Sequence, residues 1–224
     1  MSGMARSVIF DLDGTLADTS GDLLAAANAC FEGLGLGALL GPGDAGTALR
    51  GGKAMLTLGF SRVEGRGQSD VDAEYPKLLK HYEGAIDHHT ELYPGAMDAV
   101  EALKSAGFAV AICTNKPEGL AEALMRSLGV RAAFGALIGA DTLPVRKPDP
   151  APYAEAVARV GGDVTRSLLV GDSMTDERTA RAAGVPSVSV SFSPDAASRA
   201  EMSPDAWLDD YADLPAIAAR LIPR

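Results

Sequence analysis

Phe10-Asp11-Leu12-Asp13-Gly14-Thr15-Leu16 sets two carboxylates two residues apart at the end of a short apolar run, Val8-Ile9-Phe10. Alternate side chains of an extended chain share a face, so Asp11 and Asp13 point one way and Leu12 the other. Carboxylates this close repel each other, and a divalent cation is the natural remedy. Gly14 permits the backbone to leave the strand sharply. The plain alternative is an Asp-rich turn that ends a strand. A second acid pair closes another apolar run, Gly171-Asp172-Ser173-Met174-Thr175-Asp176. With a helix starting near Ser173, Asp172 and Asp176 both sit at the carboxyl edge of the sheet. The plain alternative there is helix capping and dipole complementation. Four acids from two strand ends suit a hard cation such as Mg²⁺, which takes oxygen ligands.

Two further stretches carry the opposite polarity. Thr114-Asn115-Lys116 follows the run Phe108–Cys113, and a hydroxyl with a backbone N–H at a helix start can hold a phosphate oxygen. Arg146-Lys147-Pro148 follows Ala136–Ile138, and Pro148 restricts the conformation of Lys147. Lysine is a compact point charge, suited to a phosphate or to balancing clustered acids. Taken singly, these read as a turn and a surface loop. Taken together, the strand ends supply a nucleophile, a metal site, and cationic and amide cover for oxygens, the inventory of phosphoryl transfer.

The elements needed to bring these groups together are legible as an alternation. Strand-like runs lie at Ser7–Phe10, Phe108–Cys113, Ala136–Ile138, Ser167–Val170, Ser187–Val190 and, more weakly, Ala206–Leu208. Helical patterns follow at Gly95–Ala106, Pro117–Leu128, Ala151–Val160, Thr175–Ala183 and Leu214–Leu221, punctuated by Gly107, Gly129, Gly161 and Gly184. The runs are continuous rather than alternating, as in strands buried on both faces. This predicts an α/β fold, a Rossmann-like, doubly wound parallel sheet whose strand ends share one edge. Residues 18–91 break the rhythm with no good strand. Asp22–Leu34 and Asp70–His89 read as helices, with a Gly-rich, loop-like stretch at Gly33–Gly46. The expected division is a discontinuous core, 1–17 with 92–224, and an inserted small helical domain, 18–91.

The chain has 224 residues, 47% of them hydrophobic, with 30 acidic and 20 basic side chains for a net charge of −10. That balance argues against nucleic acid and anionic membranes as partners, since both need clustered Lys and Arg. No apolar window approaches the length of a membrane span, and the N-terminal apolar run is too short for a signal peptide. Cys30 and Cys113 provide neither a disulfide framework nor zinc spacing. The expectation is a cytoplasmic monomer or homodimer acting on a small molecule.

In order along the chain, Asp11-Leu12-Asp13-Gly14-Thr15, Thr114-Asn115, Lys147-Pro148 and Gly171-Asp172-Ser173 with Asp176 resemble the four motifs of the haloacid dehalogenase-like superfamily of aspartate-nucleophile phosphatases. The insert before Leu92-Tyr93-Pro94-Gly95 is similar to the helical cap of the phosphoglycolate phosphatase-like branch. The resemblance implies that Asp11 attacks phosphorus and that Asp13 protonates the leaving oxygen and later deprotonates water. It implies Mg²⁺ held by Asp11, the Asp13 backbone carbonyl, Asp172 and Asp176, and phosphoryl oxygens held by Thr114, the Asn115 amide and Lys147. Dehalogenases lack an acid at the position of Asp13, because a halide leaves without a proton whereas an alkoxide needs one. Asp13 therefore favours phosphate esters, and the resemblance to that branch implies 2-phosphoglycolate as the leading substrate. The alternatives are a sugar-phosphate phosphatase, a phosphomutase, or a ligand-binding protein on the same fold.

The family's cap shields the site and selects the leaving group. Thr47-Ala48-Leu49-Arg50-Gly51-Gly52-Lys53 resembles its substrate-facing loop, which makes Arg50 and Lys53 candidate contacts for a substrate carboxylate; the plain alternative is a solvated basic turn. A P-loop reading fails, because Thr47 stands where the first Gly belongs and Ala54 where Ser or Thr would bind the metal. His81, His88 and His89 are expected on the second cap helix, and Cys113 as a buried small hydrophobe.

Overall fold

Strand β1 (Ala5–Phe10) runs from partly buried Ala5 to fully buried Phe10, because its carboxyl half is covered on both faces. The computed structural model describes residues 5–195 and 199–223. The chain divides into two compact units, Met1–Ala17 with Leu92–Arg224, and Asp18–Glu91. It leaves the first unit at β2 (Ala17–Asp18) and returns at β3 (Glu91–Leu92), and these two segments pair as a short ribbon.

In the larger unit, β4 (Phe108–Cys113), β5 (Ala136–Ile138), β6 (Gly162–Gly171), β7 (Ser187–Val190) and β8 (Ala206–Leu208) join β1 in a six-stranded sheet of order β5-β4-β1-β6-β7-β8. Every strand pair is parallel. The chain therefore winds outward from β1 through β4 to β5, then restarts at β6 and winds the other way. Crossovers diverge at that reversal and leave a crevice beyond the carboxyl ends of β1, β4 and β6. The register matches β1 to both neighbours, with Phe10 opposite Ile112 on one side and Val170 on the other. Asp11, Thr114 and Gly171-Asp172 thus emerge side by side.

Helices α5 (Ala96–Ser105), α6 (Glu118–Ser127), α7 (Ala151–Arg159), α8 (Met174–Ala183) and α9 (Leu214–Leu221) cover the sheet. Against one face, Tyr153, Ala156 and Val157 of α7 and Ala180 of α8 pack on Ile9, Ala111, Cys113, Ile138 and Leu169. Fully burying each large aliphatic side chain contributes about 1.5–3 kcal/mol. Cys113 is a buried member of this core, as its position predicts. The α/β, doubly wound parallel sheet expected from the sequence is the fold observed.

The unit Asp18–Glu91 contains α1 (Ser20–Gly33), a short α2 (Ala45–Ala48), α3 (Gly52–Ser61) and α4 (Gln68–Gly84). Helix α1 packs on α3 and α4, and α3 on α4. Phe31 and Phe60 meet edge to face at 5.1 Å, in the favoured aromatic geometry. Helix α3 lies beyond the loop-like stretch 33–46, in a segment the sequence left largely unassigned, and its buried Met55, Leu56, Gly59 and Phe60 form a helical face behind Gly51 and Gly52. One local expectation fails here. Helix α4 stops at Gly84 rather than His89, so His81 lies on it while His88 and His89 lie beyond its end. There the Asp22 carboxylate accepts the His89 amide at 3.0 Å and the Thr90 hydroxyl at 2.7 Å, tying the returning chain to α1.

Two glycines shape the crevice. Gly14 has φ +79°, a left-handed conformation costly for other residues, and the chain turns there with the Gly14 amide on the Ala17 carbonyl at 2.9 Å. At Gly171 a Cβ would sit 2.4 Å from Cβ and Cγ of Asp176, so the strand end must lack a side chain for α8 to approach. Gly171→Ala is expected to lower the unfolding free energy by about 1–3 kcal/mol, as overpacking does. Urea denaturation measures this, and an unchanged midpoint would show that α8 has slack.

Candidate active site

Lys147 lies at the centre of the crevice, its side chain 1% exposed, with Nζ 3.0 Å from Asp11 Oδ1 and 2.5 Å from Asp176 Oδ1. Each partner comes from a different element. Asp11 directly follows β1, and its backbone N–H donates to the Val170 carbonyl at 2.8 Å, extending the β1–β6 ladder by one bond. Its Oδ1 also accepts the Leu12 amide at 2.7 Å. Asp11 Oδ2 accepts no hydrogen bond among the described residues, so one oxygen of this carboxylate is held and the other is open to chemistry. Lys147 precedes Pro148 through a cis peptide, and its carbonyl accepts the Asn115 side-chain amide at 3.0 Å.

Asp176 serves two purposes at once. Its Oδ2 accepts the Ser173 amide at 3.2 Å and the Ser173 hydroxyl at 2.6 Å, and Ser173 Oγ faces the Asp176 amide at 3.4 Å. This is a capping box that starts α8. The capping reading of Asp176 is therefore correct, and it holds the residue while Oδ1 meets Lys147. Asp172 leaves β6 with Oδ2 accepting the Ser193 hydroxyl at 2.7 Å and Oδ1 facing the Thr15 hydroxyl at 3.4 Å. Thr15 is held in turn by Tyr211, whose hydroxyl donates to the Thr15 carbonyl at 2.6 Å.

Oxygens of Asp11, Asp172 and Asp176 all lie within 4.8 Å of one another, and all three residues are buried. Burial raises the Asp11 carboxyl to about 7, reinforced by Asp176 and Asp13 and opposed by Lys147. Burial, with Asp176 and Asp11, also holds Asp172 well above the usual carboxylate range, against the opposing Ser193 hydrogen bond. At Lys147 burial works against the charge, but Asp11 and Asp176 outweigh it and raise the ammonium above its ordinary range. One lysine thus fails to satisfy three acids. A divalent cation fits the cluster: the donors are all oxygen, and octahedral bonds of about 2.1 Å put ligand oxygens about 3 to 4 Å apart.

Asp13 does not join that cluster through its carboxylate. The turn at Gly14 sends it to Lys116, with Nζ to Oδ1 at 2.6 Å. Thr114 is buried and receives the Lys116 amide on its hydroxyl at 3.2 Å. Asn115 is exposed, and its side chain supports the Lys147 loop. In the smaller unit, Arg50 is exposed in the turn between α2 and α3, and Lys53 pairs with Asp72 of α4 at 2.9 Å, both side chains more than half exposed.

Two participants escaped the sequence reading. Lys116 stood inside a recognised motif without a role, although a buried cation demands a partner. Ser193 follows β7, whose carboxyl end opens on the same edge, and that placement was its only signal.

The comparisons bear on this geometry. A family model described as haloacid dehalogenase-like hydrolase matches residues 5–184. The chain belongs to the haloacid dehalogenase-like hydrolases. It is 37% identical over 216 residues to a phosphoglycolate phosphatase of Agrobacterium fabrum, covering 96% of this chain and 93% of that protein. To the phosphoglycolate phosphatase of Mesorhizobium japonicum it is 39% identical, with 98% of each chain covered. Among solved structures, a predicted phosphoglycolate phosphatase from Haemophilus somnus superposes with TM-score 0.84 at 25% identity, over 97% of this chain and 99% of that one. CbbY from Rhodobacter sphaeroides, solved in complex with phosphate, superposes with TM-score 0.76 at 25% identity, over 94% and 96%. Within this haloacid dehalogenase-like hydrolase, the Ser193 bond to Asp172 yields a prediction. Ser193→Ala is expected to weaken divalent-cation binding about 10–100-fold, the usual effect of losing a group that orients a metal ligand. Isothermal titration with Mg²⁺ measures it directly, and unchanged affinity would show that Asp172 is oriented without Ser193.

Proposed function

We propose that this chain is a Mg²⁺-dependent phosphoglycolate phosphatase working through an aspartyl-phosphate. Hydrolysis of a phosphoric monoester is the activity; the proposal names the ester, the metal and the residue roles. The observation that carries it is the division of the acids: Asp11 with Asp172 and Asp176 on Lys147, and Asp13 apart on Lys116. The substrate assignment rests on 37–39% identity to phosphoglycolate phosphatases over nearly the whole chain. Two free, buried cysteines suit a reducing compartment, which supports action in the cytoplasm.

Asp11 acts as nucleophile. Its open oxygen forms a bond to phosphorus while the ester P–O bond breaks, and the Asp13 proton passes to the departing alkoxide. Asp13 then takes a proton from water as that water's oxygen bonds to phosphorus and the Asp11–phosphorus link breaks. Two displacements replace one difficult step, and a carboxylate nucleophile stays ionised in the loaded site without a base. Lys147 and Thr114 cover the phosphoryl oxygens, and the Asn115 backbone amide joins them. Asp11, Asp172, Asp176 and the Asp13 carbonyl would hold Mg²⁺, which would supply positive charge against the phosphoryl oxygens.

Hydrolysis of 2-phosphoglycolate and of p-nitrophenyl phosphate is expected with Mg²⁺, and EDTA or Asp11→Asn is expected to abolish both. Turnover that survives either treatment would overturn the mechanism. A panel of phosphometabolites ranked by kcat/KM tests the substrate, which fails if a sugar phosphate leads. Asp13→Asn is expected to lower turnover of 2-phosphoglycolate by about 10²–10⁴ and that of p-nitrophenyl phosphate by far less, because nitrophenolate leaves without a proton. Equal losses would remove Asp13 from proton transfer.

A further inference from the structure

We propose that Lys116 is a positioning residue that holds the Asp13 carboxylate in place for proton transfer and keeps it out of the cation cluster. The inference rests on the reading of Asp13 as the proton-transfer group. Asp13 lies two residues beyond Asp11 on the same strand end, so proximity alone would make it a further member of the acidic cluster. Instead its Oδ1 sits 2.6 Å from Lys116 Nζ, with side chains 15% and 4% exposed. A buried ammonium needs an acceptor, and Asp13 Oδ1 provides one whether or not the other oxygen carries a proton.

The lysine is itself fixed from both sides of its backbone. Its amide donates to the Thr114 hydroxyl at 3.2 Å, and its carbonyl accepts the Ala140 amide at 2.9 Å. Lys116 therefore extends from β4 as a braced arm, while the Gly14 turn brings Asp13 to its tip. Holding one carboxylate oxygen with a compact ammonium limits where the other oxygen can point. The proton that moves belongs to Asp13: it goes to the ester oxygen as the P–O bond breaks and is replaced from water in the second displacement. Lys116 keeps its protons throughout, and its contribution is geometric.

The test uses the full chain with Mg²⁺, 2-phosphoglycolate and p-nitrophenyl phosphate, and the variants Lys116→Met and Lys116→Arg. Misplacing a reacting group by about 1 Å costs about 10²-fold. Lys116→Met is expected to lower kcat for 2-phosphoglycolate by about that factor, with a much smaller loss for p-nitrophenyl phosphate and little change in KM for either. Lys116→Arg, which keeps the charge, is expected to restore most of the kcat. Equal losses on both substrates would make Lys116 merely structural, a rise in KM would make it a phosphate ligand, and no loss would leave it without a role; each overturns the proposal. If Lys116→Met does not fold, Lys116→Gln replaces it, with the same split expected. Asp13→Asn run in parallel separates the two ideas. If Asp13→Asn shows the leaving-group split and Lys116→Met does not, only the positioning role falls. If Asp13→Asn shows none, the Asp13 reading falls and the positioning role with it.

Discussion

The molecule is organised around a repulsion. Three buried carboxylates, Asp11, Asp172 and Asp176, are held close together with one ammonium, Lys147, against them. In an interior of low dielectric such an arrangement is costly, and its cost appears as the raised carboxyls of Asp11 and Asp172. The surrounding structure has to overcome that cost. The Val170 carbonyl holds the Asp11 backbone, the α8 capping box holds Asp176, and the Ser193 hydroxyl holds Asp172. The same unfavourable state makes the site receptive. A divalent cation gains there what it would not gain on a surface, and its binding stabilises the folded chain by mass action.

Sheet topology makes this concentration possible. With β1 central and the winding reversed on its two sides, loops from β1, β4, β5 and β6 all reach one crevice. Glycine sets the distances. Gly171 allows α8 to bring Asp176 against the strand end, and Gly14 turns the chain directly after Asp13. The large surplus of acids over bases is thus no obstacle to an anionic ester. Charge in bulk governs polyanions, whereas a small phosphate responds to the few groups that face it.

The residues legible in the sequence were those whose chemistry and position spoke together. Asp11 and Asp172 each end a buried apolar strand, and in a parallel sheet such ends share an edge whatever the details of packing. Lys147 was legible through the motif it opens. Lys116 and Ser193 were not, because their roles depend on which side chain they meet across the crevice. Asp13 and Lys116 are 103 positions apart, and Asp172 and Ser193 are 21. Helix α3 escaped for a local reason: two glycines at its start look like a loop, and only burial of Met55, Leu56 and Phe60 between helices outweighs their conformational cost. The end of α4 escaped because the pull is tertiary, the Asp22 carboxylate capturing the chain at His89 and Thr90.

Asp11 and Asp13 show how environment rather than residue type assigns a role. They are the same amino acid, two positions apart, just beyond the end of one strand. One is drawn to Lys147 and the acidic cluster, where the proposed reaction needs it as an anion toward phosphorus. The other is turned by Gly14 toward Lys116, outside the cluster. Two carboxylates placed in unlike surroundings are the general way a site obtains both a nucleophile and an acid at one pH. Here the separation is made by two lysines, Lys147 against Asp11 and Lys116 against Asp13, each fixed by its own loop.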